Sequence, residues 1–183
     1  MKIFLSAGHT PARPGAVASY PVLGDVAGDL VEHDLNREFV ARVAGSLRLV
    51  EPSVVPVGRL RSRIAYVNRW ARPGDYALEV HHNASTSPSA NGVEAFFAPN
   101  SSGGIELAMA VSSGVASCSR KLRGAKRGEE SRHGSLAWLR RTRPWAALLE
   151  VEFITNPEAA VWLVGGGLDE AAEAVARRLD ELA

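Results

Sequence analysis

Along the chain, apolar runs alternate with stretches of helical period, the pattern of an α/β domain. "KIFLSAG" reads as the first strand, and it gives way to a Pro/Gly stretch, "HTPARPGAVASYPVLGDVAGD", long enough to be a functional loop rather than a mere connector. From about Leu30, the spacing of Val31, Leu35, Phe39, Val43 and Leu47 predicts a helix with one apolar stripe. "SVVPVG" is a short strand whose proline places it near a sheet edge. Leu60, Ile64, Val67 and Ala71 mark the next helix, "YALEVHH" the third strand and "GVEAFFAP" the fourth. Leu107, Val111, Val115, Cys118 and Leu122 predict a further helix. "SLAWLRR" and "WAALLEVEFI" read as two strands, and "LDEAAEAVARRLDELA" as a closing amphipathic helix. The triple glycine before it is a loop, with nothing following that would make a phosphate-binding fingerprint.

Composition narrows this picture. With 183 residues and 46% hydrophobic residues, the chain suits one domain with a proper core, and two would be cramped. The 21 Lys and Arg nearly balance the 20 Asp and Glu, so no net field draws the protein to nucleic acid or to a membrane surface. Basic character is local, richest in "SRKLRGAKRGEESRHGS". The single cysteine, Cys118, excludes an internal disulfide and reads as a small buried hydrophobe. The apolar start of "MKIFLSAGHT" is too short for a signal-peptide core, and no run is long enough to cross a bilayer.

Candidate chemistry gathers at strand ends, where ligands of open α/β sheets collect. His9 follows the first strand, and His81 and His82 end the third. Side chains alternate along a strand, so His81 and His82 point apart and only one can join a shared site. Glu32 has a structural explanation available, because Asp29 with Glu32 three residues later is the capping-box arrangement. Glu150 is harder to explain structurally: a carboxylate among Leu148, Leu149, Val151 and Phe153 needs a partner or an active-site opening. Glu152 projects from the same face at roughly 6.6 Å, either tuning Glu150 or contacting substrate, or else pairing with an arginine such as Arg140 or Arg143. Two histidines and a carboxylate can form a catalytic zinc shell with one position left for water, and a further glutamate can take that water's proton.

"IFLSAGH", "EHDLN", "LRSRIAYVN", "VHHNAS", "GVEAFF" and "LLEVEFITNPEAA" resemble, in order, the successive motifs of the zinc-dependent N-acetylmuramoyl-L-alanine amidases, which cleave bacterial peptidoglycan. The resemblance runs from about residue 3 to residue 160 and implies that His9, Glu32 and His81 bind Zn2+ and that Glu150 is the catalytic glutamate. His82 then occupies the alanine position of a His-Ala-Asn-Ala motif. Two departures stand out: Glu152 replaces the usual glycine, and Ser6 and Ala7 stand where the family more often has an acid and a proline or serine. The implied fold is a single α/β domain over residues 1–183, with a largely parallel central sheet of about six strands flanked by helices and no separate cell-wall-binding domain. The implied reaction is hydrolysis of the amide between N-acetylmuramic acid and L-alanine, for wall lysis. Peptidoglycan is the expected partner, with no nucleic acid and no membrane insertion, and a monomer is expected. Lack of an export signal fits a bacteriophage endolysin, cytoplasmic until released to the wall, and equally a domain of a longer protein; the lysin is preferred. Two alternatives remain: a zinc peptidase acting within the stem peptide, and a non-catalytic wall-binding domain.

Overall fold

The computed structural model describes residues 1–23 and 26–183, with the side chains of residues 21–27 also outside the description. Its centre is a six-stranded sheet built from β1 (Lys2–Ala7), β4 (Glu51–Val54), β5 (Tyr76–Asn83), β6 (Val93–Phe97), β7 (Leu122–Arg127) and β8 (Trp145–Phe153). The spatial order is β4-β1-β5-β8-β6-β7, and every pairing is parallel except that of β6 with β8. The expected α/β fold with a largely parallel sheet of six strands is therefore what the chain adopts. Burial on both faces explains why the central strands read as continuous apolar runs rather than alternating ones.

Three helices cover one face: α1 (Glu32–Ser46), α3 (Ser102–Ala116) and α6 (Leu168–Asp180). Phe39 and Val43, Leu107 and Val111, and Val175 and Leu179 pack there with Leu5, Leu78, Val80, Leu149 and Val151 of the sheet. Cys118 joins this core, as expected of a small hydrophobe. The other face carries α2 (Leu60–Trp70) and α4 (Ala137–Arg141), whose Ile64, Val67, Trp138 and Leu139 meet Phe4, Ala77, Phe96 and Leu148. A short helix, α5 (Pro157–Trp162), follows β8. Among the described residues, no helix is long and apolar enough to cross a membrane.

Four local expectations are corrected. "SLAWLRR" is helical at Ala137–Arg141 rather than a strand; Trp138 is buried and its indole N–H donates to the Ala147 carbonyl at 3.1 Å, so the short apolar run serves a helix packed across the sheet. The helix expected to reach Leu122 ends at Ala116, and Leu122 opens β7. This edge strand is what the basic patch conceals: its polar, half-exposed "LRGAKR" lacks a strand's apolar signature because charged side chains shield an unpaired edge. The predicted loop after β1 contains an antiparallel hairpin of β2 (Val17–Leu23) and β3 (Val26–Val31), although residues 24–25 of that stretch lie outside the described ones. Its Tyr20 hydroxyl donates to the Ile154 carbonyl at 2.6 Å, pinning it to the end of β8. "SVVPVG" begins earlier than expected, as Glu51–Val54, but does lie at the sheet edge.

Candidate metal centre and its surroundings

The site forms where β1, β5 and β8 end and α1 begins. Asp29 belongs to β3 and accepts from the Ser19 hydroxyl at 2.6 Å, so it does not cap α1, whose N-cap is Val31. Glu32 is therefore not half of a capping box. It is the first residue of α1, where the helix dipole favours a negative charge. Its Oε2 accepts from the Ala16 amide at 2.8 Å. That leaves Oε1 free to meet His9 Nε2 at 3.0 Å and His81 Nδ1 at 2.9 Å. One donor atom from each of His9, Glu32 and His81 lies within 4.8 Å of the others.

Backbone geometry is adapted to this convergence. His9 has φ 65°, a left-handed conformation that a non-glycine residue adopts only where its surroundings hold it. A Cβ on Gly8 would stand 2.3 Å from His81 Cε1. One on Gly15, whose φ is +81°, would stand 2.3 Å from Glu32 Oε2 and 2.6 Å from His9 Cδ2. Two glycines thus wrap the cluster so closely that any side chain would displace its members.

The two neighbouring histidines have separate surroundings. His82 is fully buried, and its Nδ1–H donates to Asn36 Oδ1 at 2.8 Å beneath Phe39. Burial pushes its pKa down to about 3, so it is neutral and structural. His81, on the opposite side of the strand, faces Glu32. Burial acts to lower its pKa, but the hydrogen bond to Glu32 and the nearby Glu79 carboxylate outweigh that and hold it at about 10. Glu32 itself is held far below the ordinary carboxylate range: burial raises it, and the two histidines more than reverse the effect.

Glu150 lies directly opposite His81 in the β5/β8 register, and Glu94 lies directly opposite Glu150 in the β6/β8 register. The three side chains therefore stand abreast on one face. Glu150 borders a cleft of about 340 Å³ that Asn83, Glu94, Arg132 and His133 also line. Its Oε2 is buried without a hydrogen-bond partner among the described residues. Burial raises the Glu150 pKa to about 8, with His81 opposing the rise and Glu32 and Glu94 adding to it. Glu94 is anchored by Lys126 Nζ at 2.6 Å, Arg123 Nε at 3.0 Å and Asn83 Nδ2 at 2.9 Å.

Glu152 does not share the site. The register passes from His81↔Glu150 to Asn83↔Phe153, so β8 carries one extra residue there and the simple two-residue alternation fails. Glu152 is wholly buried, accepts from the Gly92 amide at 2.5 Å and pairs with Arg120 Nη2 at 2.7 Å, not with Arg140 or Arg143. Glu152→Gly should accordingly cost stability, by about 3–5 kcal/mol for a broken buried pair. Denaturant unfolding measures this; an unchanged midpoint would contradict the structural role.

A metal fits the donor set. Two donors about 2.0–2.1 Å from one tetrahedral zinc stand roughly 3.3 Å apart, close to the 3.0 and 2.9 Å found about Glu32 Oε1. The family model described as N-acetylmuramoyl-L-alanine amidase matches residues 3–181. The chain belongs to this family.

Solved amidase structures have the same fold. An N-acetylmuramoyl-L-alanine amidase from Clostridium difficile 630 superposes with TM-score 0.81 at 22% identity, over 97% of this chain and 94% of that one. One of Nostoc punctiforme gives 0.77 at 22%, again over 97% and 94%. The catalytic domain of an endolysin targeting Clostridia difficile gives 0.72 at 23%, over 98% and 96%. No curated protein matches the chain.

Several residues around this amidase-family site escaped the sequence reading. His33 Nδ1–H donates to the Gly8 carbonyl at 3.1 Å, supporting the segment that carries His9. Its position directly after Glu32 in "EHDLN" was the available signal. Arg63 and Glu94 lie within "LRSRIAYVN" and "GVEAFF" without a role assigned there, and Glu79 also lies around the site; a buried ion pair between distant segments has no local pattern to show its partners.

Proposed function

We propose that the chain is a zinc-dependent amidase that hydrolyses the bond between the lactyl group of N-acetylmuramic acid and the L-alanine of the peptidoglycan stem peptide. His9, Glu32 and His81 hold the metal, and Glu150 is the catalytic carboxylate. The observation that carries this reading is the convergence of His9 Nε2 and His81 Nδ1 on one oxygen of Glu32, beside a Glu150 oxygen that is buried and unpartnered. Three protein donors would leave a zinc ion room for water, as in catalytic rather than structural sites. When bound, zinc polarises the scissile carbonyl and lowers the pKa of water to about 7.

The protein's own groups supply the remainder. Glu150 accepts a proton from the attacking water and delivers it to the departing amino nitrogen of L-alanine, so the amide C–N bond breaks to a lactyl carboxylate and an amine. Its geometry suits that double role, because Glu150 borders the cleft and its Oε2 has no hydrogen-bond partner among the described residues. Glu94 keeps negative charge beside Glu150 while its own charge is held by Lys126 and Arg123. Likeness to an endolysin catalytic domain agrees with a role in wall lysis.

Proton linkage follows from the same geometry. In the metal-free protein His81 is held at about 10, above the unfolded value of 6.5, so its contribution to stability is full below 6.5 and is lost as pH rises through 10. Glu150, raised from 4.5 to about 8, has the same sign: its contribution is present below 4.5 and lost as pH rises through 8. The metal-free chain should therefore lose thermal stability from pH 6.5 to 10. Zinc binding at pH 7 should release one to two protons, that of His81 and a share of Glu150's, by roughly the exchange expected when ligands must deprotonate. Calorimetry in two buffers of different ionisation enthalpy reads the number; a buffer-independent heat would contradict it.

The function is tested by release of soluble fragments from dye-labelled peptidoglycan. Activity should vanish after dialysis against chelator and return with zinc. Undiminished release by metal-free protein would remove the metal mechanism.

A further inference from the structure

Polar residues on this face of the sheet continue inward beyond the metal-ligand cluster. Ser6 and Glu79 stand directly opposite each other in the β1/β5 register. Arg63 of α2 reaches both, with Nη1 2.7 Å from Glu79 Oε1 and 3.0 Å from Ser6 Oγ. The same nitrogen donates to the Ala7 carbonyl at 2.5 Å, immediately before Gly8-His9. Both ionic side chains are withdrawn from water, 5% exposed for Arg63 and 3% for Glu79. Glu79 Oε2 in turn lies 3.7 Å from Nε2 of His81, the ring nitrogen turned away from Glu32. One guanidinium–carboxylate pair therefore holds the strand end that presents His9 and places a carboxylate near, though not in hydrogen bond with, the outer nitrogen of His81.

Stability alone gives little reason for such a pair, since desolvating two charges cancels much of their attraction. An outer carboxylate on a ligating imidazole has a different use: it fixes the ring's orientation and raises its basicity toward the metal. Ser6, which meets the same guanidinium from β1, brings no charge to it. The nearest carboxylate across the ladder is Glu79, on the same guanidinium. We propose that Glu79 is a positioning residue that holds a carboxylate beside His81 from β5, where the facing position of β1, Ser6, has none. Through Arg63 and His81, it sets the affinity of the metal site. The inference rests on the reading of His9, Glu32 and His81 as metal ligands.

The test titrates chelator-stripped protein with Zn2+ against a chromogenic competitor, with thermal unfolding recorded for each variant. Glu79→Gln should stay folded and bind zinc about 10–100-fold more weakly, the usual loss when an outer partner of a metal ligand is removed. Glu79→Ser should weaken binding at least as much, and Ser6→Asp combined with Glu79→Ser should recover it. If Glu79→Ser does not fold, Glu79→Gln carries the test, since it keeps the volume and an acceptor for Arg63. Variants with unchanged zinc affinity and only lower thermal midpoints would make the pair structural and overturn the proposal. A folded double variant that binds as weakly as Glu79→Ser would overturn the exchange of positions. Absence of zinc binding by the unaltered chain would instead defeat the metal reading itself.

Discussion

Glu150→Gln is expected to leave zinc content unchanged and to lower turnover on peptidoglycan by about 10²–10⁴-fold, the range that a positioned general acid–base contributes. Gln matches Glu in size but cannot take up a proton at neutral pH. Glu150 is not among the three side chains whose donor atoms converge, so its loss should not release the metal. Elemental analysis and initial rates together decide the matter. A zinc-free Glu150→Gln would make Glu150 a ligand, and a fully active one would end its catalytic role.

Replacing His9, Glu32 or His81 by Ala should abolish both zinc binding and activity. Each removes one of three donors, and Glu32→Ala removes the oxygen on which both histidines converge. His82→Ala is the informative control, because the two histidines are adjacent in sequence and opposite in orientation. It should keep zinc and cost about 1–3 kcal/mol, since Asn36 would lose a buried hydrogen-bond partner. If His82→Ala lost zinc and His81→Ala kept it, the assignment of the pair would be reversed.

The strand alternation that separates His81 from His82 was legible because a central strand without a bulge obeys a period of two up to that point. The same rule failed for Glu150 and Glu152 three positions from the strand's end, where an extra residue enters β8 and turns Glu152 toward Gly92 and Arg120. No local pattern announces such a bulge. The central strands and long helices were readable from continuous apolar runs and clean stripes. What was missed sits at the margins: β7, an edge strand with more charge than apolar surface, and α4, too short for a helical period to register. The His9, Glu32 and His81 cluster was legible chiefly through resemblance, since its members are separated by 23 and 49 positions, and only the fold brings them together. The pairing of Ser6, Arg63 and Glu79 was unreadable for the same reason, being set by the register of β1 on β5 and the placement of α2.

Mass identification of the bond broken in purified peptidoglycan tests the central claim most directly. Digestion by zinc-loaded protein should yield glycan strands with a free lactyl carboxylate on N-acetylmuramic acid and intact stem peptides beginning with free L-alanine, and none of either after chelation. Stem peptides cut internally, with the L-alanine still joined to the glycan, would contradict it and assign a peptidase to the same metal centre.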